Sequence, residues 1–518
     1  MLRALRSLYR LFQMARSAAR HGALSPFEEA LAGAGLTPVV LFFIRMIFGR
    51  PVGDLRPGER LANALSELGP AFIKFGQVLS TRSDLLGEEV AADLAKLQDQ
   101  LPHFSAFEAR STIEAELGSP IDLLYLQFDD VPVSAASISQ VHFAIAMPDA
   151  AHPEGRAVAI KVLRPDIELA FARDIDLLLW IAEVIERTQP KLRRLKPVEV
   201  VKTFAATVRV EMDLRLEAAS ASELRENFAG DPTYRVPEID WSRTARRVMT
   251  QQRLSGIPFD DGPAMRAAGL DVDEILTKAA GVFFHQAFRD GYFHGDQHPG
   301  NMSVGLDGAI QVVDFGIMGR IEKKTRYFLA DMLMGFIEHD YGRIAKVYVD
   351  AGYLPASQSV EDFTLALRSI GEPIHGKPLA EISFARILGQ IFAAAETFDM
   401  EVQPQLLLLQ KNMLIAEGVS RQLNPHLNIW GLAAPLIEQW MIENRGPQAR
   451  MEQAGREFLH AAERLPAVMR NIDRLVGHLA EGGLKLDPEA LKVINRTGSS
   501  WWLWIIIAVL AAGLLFGR

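Results

Sequence analysis

The sequence predicts an α+β chain of two lobes, a small one built on a sheet and a larger one built of helices. Three observations carry this reading. Between residues 122 and 164 the pattern switches to short runs rich in β-branched residues. From residue 322 to about 482 it is almost wholly helical. Two polar strings, FHGDQHPGN (293–301) and VVDFG (312–316), lie on loops ahead of that helical stretch, with a strand expected over 309–313 between them.

Taken in order, residues 1–56 form a basic N-terminal region. Arg3, Arg6, Arg10, Arg16 and Arg20 interleave with Leu2, Leu5, Leu8, Leu11 and Phe12, and no acid precedes Glu28. That is an amphipathic helix suited to anionic lipid headgroups, and a mitochondrial transit peptide shares the same physics. A second apolar run, 39–48, is interrupted by Arg45 and is too short to span a bilayer. Residues 57–120 read as a helical extension, since Leu61, Leu65, Leu68 and Phe72 recur at three or four. The sheet-bearing lobe follows at 121–256, with strands over 139–146 and 157–163 turned by His152, Pro153, Glu154 and Gly155. Helices are expected over 166–187 and 198–228, then a strand at 247–251. The helical lobe occupies 257–482 and a linker 483–500.

Residues 501–517, WWLWIIIAVLAAGLLFG, carry no charge. Seventeen helical residues reach roughly 26 Å against about 30 Å of hydrocarbon, so a transmembrane helix is expected. Trp501, Trp502 and Trp504 stand where an aromatic belt would lie, and Lys485, Lys492 and Arg496 favour a cytoplasmic body. Gly513 and Gly517 are spaced to allow a homodimer through that span.

Composition removes other classes. With 518 residues there is room for several subdomains, and a net charge of −9 offers no basic field for nucleic acid. Cysteine is absent, which excludes disulfides, thiol nucleophiles and iron–sulfur clusters.

The chemistry is carried by spacing. Asp296 and Asn301 are five apart, and Asn301 and Asp314 thirteen apart. The same intervals separate a protein kinase's catalytic Asp, its magnesium-binding Asn and the Asp of Asp-Phe-Gly. Asn301 and Asp314 offer Mg²⁺ the oxygen ligands it requires, and Asp296 would orient a nucleophile. Upstream, Lys161 in VAIKV would bridge nucleotide phosphates. It needs a carboxylate partner. In EMDLRLEAA, Glu211 and Glu217 point roughly 120° apart at about 100° per residue, so one lysine does not engage both. Glu217 is assigned to Lys161, and Glu211 and Asp213 are left wanting another cation. Lys74, in AFIKFGQ, is the candidate; Gln77 shares its helix face, and Gly76 would admit a neighbouring backbone. Where a kinase has a glycine-rich loop, this chain has Ser134, Ala135, Ala136 and Ser137, and alanine does not readily take the φ > 0 conformations that wrap phosphates. The backbone at Gln251, Gln252 and Arg253 falls where a linker between lobes would read a purine edge. His294 and His298 flank Asp296 and are read as loop-shaping rather than metal-binding.

The strings KFGQ, SAAS with SQVH, VAIKV, EMDLRLE, FHGDQHPGN and VVDFG, in this order, resemble the UbiB family of atypical kinase-like proteins over roughly residues 61–430. The resemblance implies an atypical kinase-like fold, binding of ATP, membrane-dependent ATPase activity and a role in ubiquinone biosynthesis. It implies that the Lys-x-Gly-Gln helix packs over the site and pairs Lys74 with Glu211 and Asp213, and that the alanine-rich loop replaces the glycine-rich one. Gly295 stands where the family often has alanine, and Gln251 and Gln252 replace a common Met-Glu. Membrane lipids, quinone-biosynthesis enzymes or prenylated quinone intermediates are the expected partners, at a bacterial inner membrane or, in a eukaryote, the mitochondrial one. A kinase acting on a lipid or small molecule, and a nucleotide-switched scaffold without catalysis, are the rival readings.

Overall fold

The computed structural model describes residues 2–23, 55–80, 86–94, 97, 102–150, 152–188, 193, 196–374, 383–400, 403–427 and 429–445. Residues up to Glu438 form one compact unit; Gln439–Arg445, the end of the last described helix, belongs to a second. The expected membrane span 501–517, the linker 483–500 and the apolar run 39–48 lie outside the described residues. Among the described residues, no helix is long and apolar enough to cross a membrane.

Strands β1 (Tyr125–Phe128), β2 (Ser134–Ala135), β3 (Ser139–Ala146) and β4 (Arg156–Leu163) follow one another in the small lobe. After β5 (Tyr234–Arg235), which joins another sheet, β6 (Val248–Gln252) completes an antiparallel sheet in the order β1-β3-β4-β6, with β2 on β3. The β3–β4 turn closes at Gly155, whose φ is +80°; a Cβ there would stand 2.5 Å from the Ala146 carbonyl oxygen. Glycine is therefore required at this bend.

Alternation along β4 sorts its side chains. Val158, Ile160 and Val162 pack with Ile113, Ile121, Tyr125 and Val248 on one face. Lys161, facing Val141 of β3 and Met249 of β6 across the ladder, belongs to the other face. There Leu163 and Met249 join Ala218, Ala221 and Leu224 of the helix Leu214–Asn227 in the main core. The pleat thus directs one charged side chain of a buried strand toward that helix.

The helix expected over 198–228 is two helices, Pro197–Glu211 and Leu214–Asn227. Asp213 makes the break, because its carboxylate accepts the Arg215 N–H and caps the second helix. In the extension, Pro57–Leu68 and Pro70–Ser80 are separated by Gly69 at φ +99°. Gly76 abuts side chains rather than another backbone, since a Cβ would meet methyl carbons of Leu97 and Leu65.

The N-terminal segment forms the helix Leu2–His21, and it packs on the helix Pro57–Leu68. Arg10 turns inward instead of toward headgroups. Its guanidinium donates to both carboxylate oxygens of Asp174 at 3.0 and 2.8 Å and to the Leu68 carbonyl at 2.7 Å, and lies 5.1 Å from the Phe72 ring centre. Asp174 is buried on the helix Ile167–Thr188, and a buried carboxylate demands such a partner. Tyr9 and Phe12 stay exposed.

The site strings sit on small strands at the head of the helical lobe. β7 (Ile257–Pro258), β9 (Met302–Val304) and β10 (Ile310–Val312) form a second sheet with β5, while β8 (Tyr292–His294) pairs with β11 (Met318–Arg320). Helices Lys323–Ile337, Tyr341–Asp350, Val360–Gly371, Phe384–Thr397, Pro404–Leu423 and Ile429–Arg445 follow.

Candidate active site

The helix Leu214–Asn227 buries Leu214, Glu217, Ala218, Ala221 and Leu224, a stripe at three- and four-residue spacing with one carboxylate in it. Glu217 meets Lys161 there: the ammonium donates to Oε1 at 2.6 Å and to Asp314 Oδ1 at 3.5 Å. Burial opposes charge on Lys161, but the carboxylates of Asp314 and Glu217 outweigh it and hold the ammonium's pKa above the ordinary lysine value. Burial also works against ionised Asp314; the Lys161 charge, the Gly316 N–H at 3.0 Å and the Lys74 charge prevail and hold it below the usual carboxylate range. Glu217 is pushed up by burial, with the Asp314 charge adding and Lys161 opposing.

The two strings are tied together by His294. Its Nδ1 accepts the Asp296 N–H at 3.1 Å, and its Nε2 bonds to the Asp314 carbonyl oxygen. Burial pushes this imidazole's pKa down, which favours the neutral ring that such a bridge needs. Both nitrogens are engaged, so His294 shapes the loop. His298 accepts the Gly300 N–H at 3.1 Å and caps the short turn Pro299–Asn301. Among the described residues no group of three or more His, Asp or Glu is arranged to hold a metal.

Asn301 donates its amide to the Asp296 carbonyl at 3.4 Å, and the Val313 N–H returns to the Asn301 carbonyl at 3.2 Å. The amide is thereby oriented by its nitrogen, while the Asp314 side chain is 43% exposed beside Lys161. An amide oxygen and an ionised carboxylate are a donor set that suits Mg²⁺, which takes its remaining oxygens from phosphates and water.

The charged and polar residues expected to pair around Lys74 are only partly brought together. Lys74 lies 3.2 Å from Glu211, and its charge reaches Asp314, so the helix Pro70–Ser80 borders the site. Gln77 donates to the Leu97 carbonyl at 3.3 Å. Asp213 does not pair with Lys74. Its carboxylate is taken by Arg215 at 2.9 and 2.7 Å, because capping the following helix turns it away.

Ser134 and Ala135 lie in β2, and the Ala136 N–H closes a tight turn on the Ser139 carbonyl at 2.8 Å. Arg164 grips the Ala136 carbonyl from outside at 3.2 and 3.0 Å. Ser137 is buried, and its hydroxyl finds no hydrogen-bond partner among the described residues. The Gln252 N–H is bound to the Glu238 carbonyl and the Arg253 N–H to the Ala157 carbonyl. Those two N–H groups are engaged by main-chain carbonyls, so a purine contact by this segment would fall to its other backbone groups. Gln251 turns inward and donates to the Val313 carbonyl at 3.0 Å.

Three further residues hold the loop. Gln286 lies in a single π-helical turn, His285–Asp290, and its Oε1 accepts the His294 N–H at 2.9 Å. From the distant helix Pro404–Leu423, Asn412 accepts the Gln297 N–H at 3.1 Å and donates to the His294 carbonyl, while the Lys411 ammonium meets Asp296 Oδ1 at 2.7 Å. The signal in sequence is the polar triplet Gln410, Lys411 and Asn412 inside an otherwise apolar run.

Known proteins agree with this architecture. Residues 96–348 match the ABC1 atypical kinase-like domain, and residues 367–428 match the UbiB helical domain. A relative from Marinobacter nauticus called probable protein kinase UbiB is 38% identical over 494 residues, covering 93% of this chain and 89% of its own. One from Xanthomonas axonopodis pv. citri, of the same name, is 42% identical over 88% of this chain and 84% of its own. The fold is accordingly α+β and atypical kinase-like, and the chain belongs to the UbiB family.

Proposed function

We propose that this chain is a membrane-associated, kinase-like ATPase that supports ubiquinone biosynthesis. One observation carries the catalytic part: a lysine shared between a buried glutamate and the Asp of Asp-Phe-Gly, at 2.6 and 3.5 Å. Such a cation is fixed before substrate arrives and needs little reorganisation to meet the phosphates of ATP. Asn301 and Asp314 would hold Mg²⁺, which neutralises charge developing on the phosphates. Asp296 would orient the water or hydroxyl that attacks the γ-phosphorus. The Lys74 helix at the edge of the site favours water or a small acceptor over a protein substrate.

The ubiquinone role rests on family membership and on the UbiB name of the bacterial relatives. Membrane association rests on the apolar sequence 501–517. Full-length protein in liposomes containing an anionic lipid is expected to hydrolyse ATP, and Asp314→Asn or Lys161→Ala to lower turnover on the order of 10²–10³-fold. Undiminished hydrolysis by either variant would refute the assignment. Appearance of the γ-phosphoryl label in a lipid extract would instead identify a lipid kinase.

A further inference from the structure

Asp296 is approached from a part of the chain that no kinase motif includes. Lys411, 115 residues downstream, places its ammonium 2.7 Å from Asp296 Oδ1. Its neighbour Asn412, fully buried, fastens the loop backbone on either side of Asp296 by accepting the Gln297 N–H and donating to the His294 carbonyl. Successive residues of one helix thus fix both the main chain and the carboxylate of the loop. Among the described residues no hydrogen bond reaches Asp296 Oδ2.

The two contacts differ in what they can do. Asn412 satisfies buried backbone groups, a structural duty whose loss leaves polar atoms unpaired. Lys411 and Asp296 have side chains 42% and 32% exposed, and a pair so open to solvent contributes little to stability. Its effect is orientational. With one oxygen held by the ammonium, the carboxylate presents the other in a fixed direction.

We propose that Lys411 is a positioning residue for phosphoryl transfer, supplied by the helical domain to aim Asp296. The inference rests on the function proposed above. In the step it serves, the oxygen of water attacks the γ-phosphorus, the bond from that phosphorus to the β,γ-bridging oxygen breaks, and ADP departs with the electron pair. The proton lost by the water passes to Asp296 Oδ2. Lys411 keeps that oxygen facing the attacking side, while Lys161 holds the phosphates on the leaving side.

The test is steady-state ATP hydrolysis by full-length protein in anionic liposomes, comparing wild type, Lys411→Ala, Lys411→Arg, Asp296→Asn and the double variant Lys411→Ala/Asp296→Asn. Lys411→Ala is expected to lower kcat roughly tenfold to a hundredfold with KM for ATP within about twofold of wild type. Lys411→Arg should recover most of that loss. In the Asp296→Asn background, Lys411→Ala should cost at most about twofold more, because the lysine acts through the aspartate. A fully additive double variant, a loss confined to KM, or wild-type kcat in Lys411→Ala would each overturn the proposal. With active wild type and silent Asp314→Asn, such a result refutes the role of Lys411 alone. An inactive wild type would refute the ATPase reading and this inference with it.

Discussion

Lys161 stands between two acids, 2.6 Å from Glu217 and 3.5 Å from Asp314, so one cation balances both. Removing it is therefore different from removing either partner. Lys161→Met leaves Glu217 facing Asp314 without the cation between them, while Glu217→Gln leaves the lysine with Asp314. Breaking a buried pair costs about 3–5 kcal/mol, and Lys161→Met is expected near that range with Glu217→Gln below it. The loss in Lys161→Met should shrink as pH falls, because burial already pushes Glu217 up and a protonated carboxyl needs no cation. Urea unfolding midpoints at two pH values measure this. Equal losses for the two variants would mean that Asp314 does not share the lysine.

The acid limb of the stability curve should carry a mark of Asp314. Its folded-state pKa lies below the ordinary value of 3.8. A depressed carboxylate stabilises the fold above the unfolded pKa and loses that contribution as pH falls through the folded one. Wild type is thus expected to lose stability below about pH 4 more steeply than Asp314→Asn does. Parallel curves from pH 5 downward would contradict this.

The site reads in the sequence to the extent that motif spacing reports neighbours in space. Lys161, Glu217 and Asp314 come together because an alternating strand, a helical stripe and a loop each leave one charged group facing the same gap. Asp213 misled because its carboxylate has two uses, and nothing in EMDLRLE reveals that the helix breaks there to make it a cap. Lys411 and Asn412 were missed because no local pattern links residue 411 to residue 296; only the folded helical lobe brings them together. Arg10 is similar. An amphipathic pattern identifies a helix, and only the position of Asp174 decides that this arginine faces the protein.

Arg10 should matter for stability. Asp174 is buried, and Arg10 donates two of its hydrogen bonds, with Arg173 a weaker partner at 3.4 Å. Arg10→Ala leaves that carboxylate short of donors and is expected to cost about 2–4 kcal/mol. Adding Asp174→Asn should restore part of the loss, since the amide carries no charge to compensate. Thermal or urea unfolding of the two variants reads the effect. A change under 0.5 kcal/mol in Arg10→Ala, at the level of an ordinary surface substitution, would mean that the helix Leu2–His21 is not held here in solution.

The Lys74 charge that helps keep Asp314 ionised would also repel the divalent cation proposed for the same carboxylate. Lys74→Gln relieves that repulsion while keeping a hydrogen-bonding side chain beside Glu211. The variant is therefore expected to need roughly threefold to tenfold less Mg²⁺ for half-maximal stabilisation by a non-hydrolysable ATP analogue. Thermal unfolding across a Mg²⁺ titration at fixed analogue concentration measures it, and high salt should narrow the difference because the site opens to solvent at Asp314. An unchanged or greater Mg²⁺ requirement in Lys74→Gln would mean that the lysine does not face the cation, and that the helix Pro70–Ser80 borders the site without acting on its charge.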